Sequence, residues 1–529
     1  MKSITILLTT LFVLSACAGG KSCASSAPKT LPDAIVLNNY AEPPTLDPAL
    51  ATDETSMIII HQLFEGLTEY DPKTVMPIPA VATRWEVSSD GLTYTFYLRD
   101  HTTWSDGSPV TAADFEYSWK RTLNPATASG SAYLLYFIRN AEEYNNGTLA
   151  DASTVGVRAV SPTTLEVTLK DPAPFFPQLT SHSVCRPVHR ATVEQWGDQW
   201  TRPEHMISNG PYRFTSWVPQ KEIVMEKNPN YWDKETVKIA KAIFLPTNDQ
   251  ETALKQQLEG KVHVSHNLPV SKLTELAKRP DLHNVAHFAN YYYMFNTQKK
   301  PFDDARVRRA FSLAIDREQL VKTLNRGDIP ATAFIPPVEG YAPPAVEMFN
   351  PQKAKELLKE AGYADLSTFP PVTVLYNTND LHRTVSEILQ GMWKQHLGIQ
   401  VSLQNQEWKV VIDSWKVGNF ELTRSGWFGD YFDPHAFLAI NTTNSQQNHM
   451  KWSNPQFDDF VNVQSQKELD PAQRMAILKQ AEEILLSDMP VIPLFYYGRP
   501  ILVDPRLKGF YPNAGELHPL KFAWFEENK

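Results

Sequence analysis

Cysteine is scarce in this chain: three in 529 residues, at positions 17, 23 and 185. Two lie near the N-terminus and Cys185 stands alone, so no disulfide is expected inside the folded body. There is no basic block either. Fifty Lys and Arg against 59 Asp and Glu give a net charge of −9 spread along the chain, which argues against nucleic acid as a partner. Beyond the first residues no apolar run is long enough to cross a bilayer, and no internal repeat is present. The chain has no Gly-x-Ser-x-Gly and no His-Glu-x-x-His, two common hydrolase signatures. Nothing invites an enzyme, so no catalytic residue and no cofactor are expected.

Three weak motifs are set aside. Gly19-Gly-Lys-Ser22 resembles the end of a phosphate loop, but Ser15 stands where the first glycine belongs. His263 and His266 are spaced i, i+3, which on a strand sends them to opposite faces, so they do not form a metal site together. Asp430, Asp433 and His435 also suggest a metal, but Pro434 interrupts them. No metal site is expected.

With 42% hydrophobic and 21% charged residues, the chain is globular and long enough for two or three domains. It opens on Lys2 and a largely apolar run from Ile4 to Leu14. That run is too short to span a membrane and reads as the core of a signal peptide. Leu14-Ser-Ala-Cys17 resembles a bacterial lipobox, which implies cleavage after Ala16 and diacylation of Cys17. The small polar residues 18–28 have the composition of a tether.

The body alternates strand-like and helix-like patterns. Thr93-Tyr-Thr-Phe-Tyr-Leu98 puts Tyr94, Phe96 and Leu98 on one face of a half-buried strand. Thr111-Ala-Ala-Asp114 has capping-box spacing and opens a helix through Phe115 and Trp119. Asp304 caps a helix expected over 305–317, with Val307, Ala310, Phe311, Ala314 and Ile315 on one face. Another runs from Pro351 to Ala361 and stops at Gly362.

The densest chemistry lies in Arg424-Ser-Gly-Trp427-Phe-Gly-Asp430-Tyr-Phe-Asp433-Pro434. It sets one cation and two carboxylates among aromatics and glycines. Glycine lets a ligand backbone approach, and a carboxylate beside indole rings holds an ammonium group with little competition from water. This suits a zwitterion such as a peptide. A loop held by an internal Arg–Asp pair is the other reading of the same spacing.

Several motifs together resemble one family. They are Trp104-Ser-Asp-Gly-Ser-Pro-Val-Thr-Ala-Ala-Asp-Phe115, Asn209-Gly-Pro-Tyr-Arg-Phe214, Asn228-Pro-Asn-Tyr-Trp232, Pro301-Phe-Asp-Asp-Ala-Arg-Val-Arg-Arg-Ala-Phe-Ser-Leu-Ala-Ile-Asp316, Ala361-Gly-Tyr363 and Asp488-Met-Pro-Val-Ile-Pro-Leu-Phe-Tyr-Tyr497. From about residue 35 to about 510 they occur in the order found in the extracytoplasmic solute-binding proteins of peptide ABC transporters. Tyr376-Asn-Thr-Asn-Asp-Leu-His382 and Asn405-Gln-Glu-Trp408 resemble its oligopeptide-binding members.

The resemblance implies an α/β flytrap of the type II periplasmic binding-protein class, with two lobes and an extra small domain, discontinuous in sequence. The implied segments are a signal peptide at 1–16 and a lipidated tether at 17–31. Lobe I would combine 32–65, 191–281 and 499–529, with an accessory domain at 66–190, and lobe II would span 282–498. Asp430 would meet a peptide's α-ammonium group. Arg424 and His382 would meet its carboxylate according to length, and a further cation near 322–326 is left unassigned. Gly426, Trp408, Trp427, Tyr496 and Tyr497 would line the ligand site. An enteric member of the family carries a disulfide near the ligand, with one cysteine at the position of Phe428. The chain has none there, nor at 285–290, so that wall differs in shape.

The function implied is a monomeric, lipid-anchored binding protein at the periplasm or cell surface, passing short peptides to ABC permease subunits. A murein tripeptide, a dipeptide, a metal complex or haem is the alternative ligand within the family, and a secreted peptide or cell-wall hydrolase the alternative outside it.

Overall fold

The computed structural model describes residues 31–526 apart from 267 and 345–346; the signal, Cys17 and Cys23 lie outside the described residues. The backbone of the fold is an 11-stranded mixed sheet. Two long antiparallel strands, Leu282–Phe295 and Val491–Val503, lie at its middle. On one side Val503 and Leu502 pair with Val264–Ser265, which leads to Ala34–Asn38, Lys241–Leu245, Glu222–Lys227 and Tyr212–Val218. On the other, Leu282–Phe295 pairs with Leu422–Phe428, followed by Thr373–Asn377 and Ser402–Gln406. The two lobes therefore share the long pair. Its ladder breaks between Ala286 and Asn290, where Gly498 lies so close to Gly327 that an added Cβ would meet the Gly327 carbonyl oxygen at 1.7 Å.

A separate four-stranded antiparallel sheet runs Ala82–Val87, Thr93–Leu98, Thr164–Thr168, Val157–Ser161. In Thr93–Leu98 the expected face, Tyr94, Phe96 and Leu98, is buried. The helix packed beside it spans Ala112–Leu123. The Thr111 N–H donates to Asp114 Oδ2 at 2.7 Å, the reciprocal arm of the expected capping box. Phe115 and Trp119 are fully buried, each worth roughly 1.5–3 kcal/mol or more relative to exposure. Trp119 Nε1 donates to the carbonyl of Cys185, a buried free thiol.

The helix expected over 305–317 is shorter. It spans Ala305–Leu313, and a second begins at Arg317. The Asp316 carboxylate accepts from the Gln319 N–H at 2.9 Å, because aspartate gains more by capping a new helix than by sitting inside an old one. The helix Pro351–Glu360 is capped by Asn350 and ends before Gly362, whose φ is +96°.

Other family-like motifs hold the core around Glu65. Asn209 bonds both backbone groups of Glu65, at 3.0 and 2.9 Å. Gly210 lies against Leu63 so tightly that a Cβ would come within 2.6 Å of its carbonyl. The buried Glu65 carboxylate takes Trp232 Nε1 at 2.5 Å, Lys521 Nζ at 2.9 Å and the Tyr231 hydroxyl. A buried charge persists only when its lone pairs are used in this way.

Candidate functional site

A cavity of about 290 Å³ opens between the lobes. Thr52, His61 and Tyr70 form one wall, Tyr133 joins from the small sheet's domain, and His287 and Asp430 close the other. Beneath the first wall the charges are neutralised: Arg186 grips Glu69 at 2.8 and 2.9 Å.

Asp430 stands on this cavity, just past the strand Leu422–Phe428. Its Oδ1 accepts the Tyr133 hydroxyl at 3.2 Å, and it has no cation within ion-pair distance among the described residues. Although the residue is exposed, the surrounding walls exclude enough water to raise its carboxyl above the usual range, with the Tyr133 bond opposing. Gly429 makes this approach possible, since a Cβ there would meet the Phe288 ring at 2.3 Å.

Three residues on in the same motif, Asp433 has a different part. It is buried and held by Arg474 in a two-toothed pair at 2.6 and 2.9 Å. His435 is committed to the Tyr431 hydroxyl at 2.7 Å and Gln466 at 2.6 Å. The motif thus divides: Asp433 is ion-paired within the fold, and Asp430 has only the Tyr133 hydroxyl.

Strand alternation places Arg424, Gly426 and Phe428 on one face and Ser425 and Trp427 on the other. Arg424 Nη2 donates to the Tyr497 hydroxyl at 3.1 Å, and its guanidinium lies 4.8 Å over the Tyr291 ring. The absent side chain of Gly426 makes room, as a Cβ would fall 3.3 Å from Arg424 Nη2 and 3.4 Å from the Tyr497 hydroxyl. His382 is buried with Nδ1 3.1 Å from the Tyr291 hydroxyl. Burial, reinforced by the charges of Arg424 and Arg326, lowers its pKa to about 3, so the ring is neutral at pH 7.

Within the 322–326 stretch, Arg326 is close enough for its charge to act on both His382 and Tyr497. Arg424 Nε and Arg326 Nη1 are buried without a hydrogen-bond partner. Among the described residues neither guanidinium is ion-paired. Other buried arginines are capped: Arg474 by Asp433 and Arg317 by the Pro493 carbonyl at 2.6 Å, among others. Two guanidinium groups thus lie near one another with unpartnered nitrogens, and the buried Asp328 carboxylate is close enough to feel the charge of Arg326.

The remaining expected site residues divide. Tyr497 joins the cation cluster and stacks on Phe428 at 5.4 Å. Tyr496 turns the opposite way. It is buried and its hydroxyl is held by the N–H and carbonyl of Ala333, both at 3.0 Å, so it belongs to the core and not to the cleft face. Trp427 is half-buried, its Nε1 unpartnered and its N–H bonded to Asn290 Oδ1 at 3.2 Å. The helix Trp408–Val417 starts at Trp408, whose side chain lies outside the described residues. Where the family's disulfide would sit, Phe428 meets His287 edge-on at 5.6 Å. Tyr133 and Tyr291 had no signal in the sequence, since each reaches the site only through tertiary packing.

Residues 76–449 match the family described as bacterial extracellular solute-binding proteins, family 5. The oligopeptide-binding protein OppA of Bacillus subtilis is 36% identical over 99% of both chains. A structure described as the periplasmic murein tripeptide-binding protein MppA in its unliganded, open form superposes with a TM-score of 0.88 at 36% identity, covering 93% of this chain and 97% of the other. A second structure, of the Escherichia coli murein tripeptide-binding protein MppA, has the same 36% identity over 94% of this chain and 99% of the other, but a TM-score of 0.71.

Proposed function

This chain belongs to the bacterial extracellular solute-binding proteins of family 5, which serve transporters as binding components and are not enzymes, and from that premise we propose that it captures short oligopeptides between its lobes and delivers them to an ABC permease. The observation that carries the ligand class is a separation of unmatched charge. Asp430 offers a carboxylate without a cation, and Arg424 offers a guanidinium without an ion-pair partner, with Arg326 beside it only partly offset by Asp328. A free peptide has the opposite charge at each end.

The peptide would lie extended, bound through its main chain like an added strand. Side chains would rest in hydrated pockets, which gives breadth of sequence at a defined length. The high similarity to an open, unliganded form supports reading this arrangement as the state that admits ligand. Closure would then withdraw Asp430 and the guanidinium groups from water and present a new surface to the permease. The murein tripeptide reading rests on the same two neighbours. Relatives of similar identity are named for oligopeptides, so similarity gives it no preference over other short peptides.

Native mass spectrometry of protein purified without denaturation tests the ligand class. The expected result is a set of mass increments equal to short peptides, released intact on acidification. Protein that carries no peptide and hydrolyses added peptide would overturn the proposal.

We further place the protein on a membrane through Cys17, on the lipobox-like Leu14-Ser-Ala-Cys17. Acyl chains contribute about 0.8 kcal/mol per buried methylene, and two or more hold a protein stably. Cys17→Ser is expected to abolish incorporation of a fatty-acid analogue and release the protein to the soluble fraction. Unchanged labelling would contradict the anchor.

A further inference from the structure

Beside the cleft, where the C-terminal segment crosses lobe I, His266, Glu516 and His518 bring one ligand atom each to within 4.8 Å of the others. We propose that they form a binding site for a divalent transition-metal ion of the zinc type, which ties the C-terminal loop to the segment after Val264–Ser265.

The donor atoms are what distinguish this cluster from an ordinary polar contact. His266 Nδ1, Glu516 Oε2 and His518 Nε2 are all buried, and beyond the His266–Glu516 pair and the Arg499 guanidinium none has a polar partner. His266 is 8% and Glu516 4% exposed, so water does not repay the loss. His266 Nδ1 and Glu516 Oε2 approach to 2.7 Å. Zinc with ligands at about 2.0–2.1 Å separates its donors by roughly 3.3 Å, so metal entry parts this pair by about half an ångström and draws the third donor in from as far as 4.8 Å.

The loop is built to present these atoms. Asn513 is buried and accepts the Gly515 N–H at 3.0 Å and the Leu517 N–H at 3.3 Å, while its Nδ2 donates to the Leu517 carbonyl at 2.7 Å. Glu516 is thereby held at φ +55°, a left-handed conformation that costs a non-glycine residue energy. His518 Nδ1 faces Asn513 and Nε2 is unpartnered, so Nε2 is the nitrogen open to a ligand. Asn513 Nδ2 approaches the same Nδ1 only to 3.4 Å, its protons being committed to the Leu517 and Pro72 carbonyls at 2.7 and 3.1 Å.

The nearby cation does not close the site. Arg499 lies 3.5 Å from Glu516 Oε2 and divides its charge between Glu516 and Glu54, which it bonds at 2.9 and 3.1 Å, so a metal ion would compete with it for one carboxylate only. Two imidazoles and one carboxylate, with a fourth position for water, is a donor set that suits zinc better than calcium or magnesium. His263 takes no part: its Nδ1 accepts the Val36 N–H at 2.9 Å. The pair spaced i, i+3 is thus no site, but one of its members has found partners about 250 residues away.

The test uses the untagged mature chain, stripped with chelator and dialysed against zinc ions alone, with bound metal measured by elemental analysis. We expect about one equivalent per chain in the wild type and background in His518→Ala and Glu516→Gln. Zinc should raise the unfolding temperature of the wild type and leave both variants unmoved. Because a variant could fail to fold, the wild type is also loaded with cobalt(II). Intense visible bands of a four-coordinate ion are expected. Background zinc in the wild type, equal zinc in the variants, or only the pale spectrum of a six-coordinate ion on surface groups would each overturn the site and leave His266 and Glu516 as a buried ion pair.

Discussion

Asp430→Ala is expected to weaken the binding of free tripeptides by about 10²- to 10³-fold or more, since removing one partner of a desolvated ion pair costs about 3–5 kcal/mol. The size of the effect depends on closure. In the open cleft Asp430 is exposed and bonded only to Tyr133, and a pair formed there in water would be worth about 1 kcal/mol or less. Once the lobes close, an ammonium left without its carboxylate has no solvent to replace it. Tyr133 offers only one hydroxyl and reaches across from the small sheet's domain, so it cannot substitute. Arg424→Ala is expected to act more mildly, because Arg326 remains at the same end and water can take up part of the carboxylate. Isothermal calorimetry on both variants with one peptide distinguishes the two costs. Equal losses would mean that the ends are not held as described.

Asp433→Ala is expected to destabilise the protein by about 3–5 kcal/mol while leaving intrinsic ligand contacts untouched, because Arg474 would be left charged, buried and unpaired. Burial alone would raise the Asp433 carboxyl, but the Arg474 guanidinium outweighs it and holds the carboxyl below the usual range. A lowered folded-state pKa means a contribution present above the unfolded pKa of about 4 and lost as pH falls through the folded one. The gap in unfolding midpoint between wild type and Asp433→Asn should therefore be widest near neutral pH and narrow below about pH 4. Thermal unfolding across pH 3–8 checks this. A gap that grows with acidification would contradict the pairing.

The contrast between these neighbouring aspartates shows where sequence reading stops. Local signals were legible because they depend on a few adjacent residues. The alternation in Thr93–Leu98, the box at Thr111 and Asp114 and the caps at Asp304 and Asn350 all act over one turn or one strand. The shortened helix at Leu313 was legible too, had Asp316 been given its weight as a cap. Which aspartate of the motif is free was not. Asp433 is occupied by an arginine 41 residues later, and Asp430 is approached by a tyrosine 297 residues earlier. Tyr496 and Tyr497 are adjacent and chemically identical, and only the orientation of their strand sends one to Ala333 and the other to Arg424. Arg326 and the partners of His266 escaped for the same reason, since long-range packing has no spacing rule.

The central claim, that Asp430 receives the ammonium end of a peptide, is tested most directly by one calorimetric cycle. A tripeptide with a free or an acetylated N-terminus is titrated into the wild type and into Asp430→Ala. Acetylation is expected to cost the wild type most of its affinity and to cost Asp430→Ala almost nothing further, so that the coupling belongs to that one pair. Equal binding of free and acetylated peptide by the wild type would contradict it.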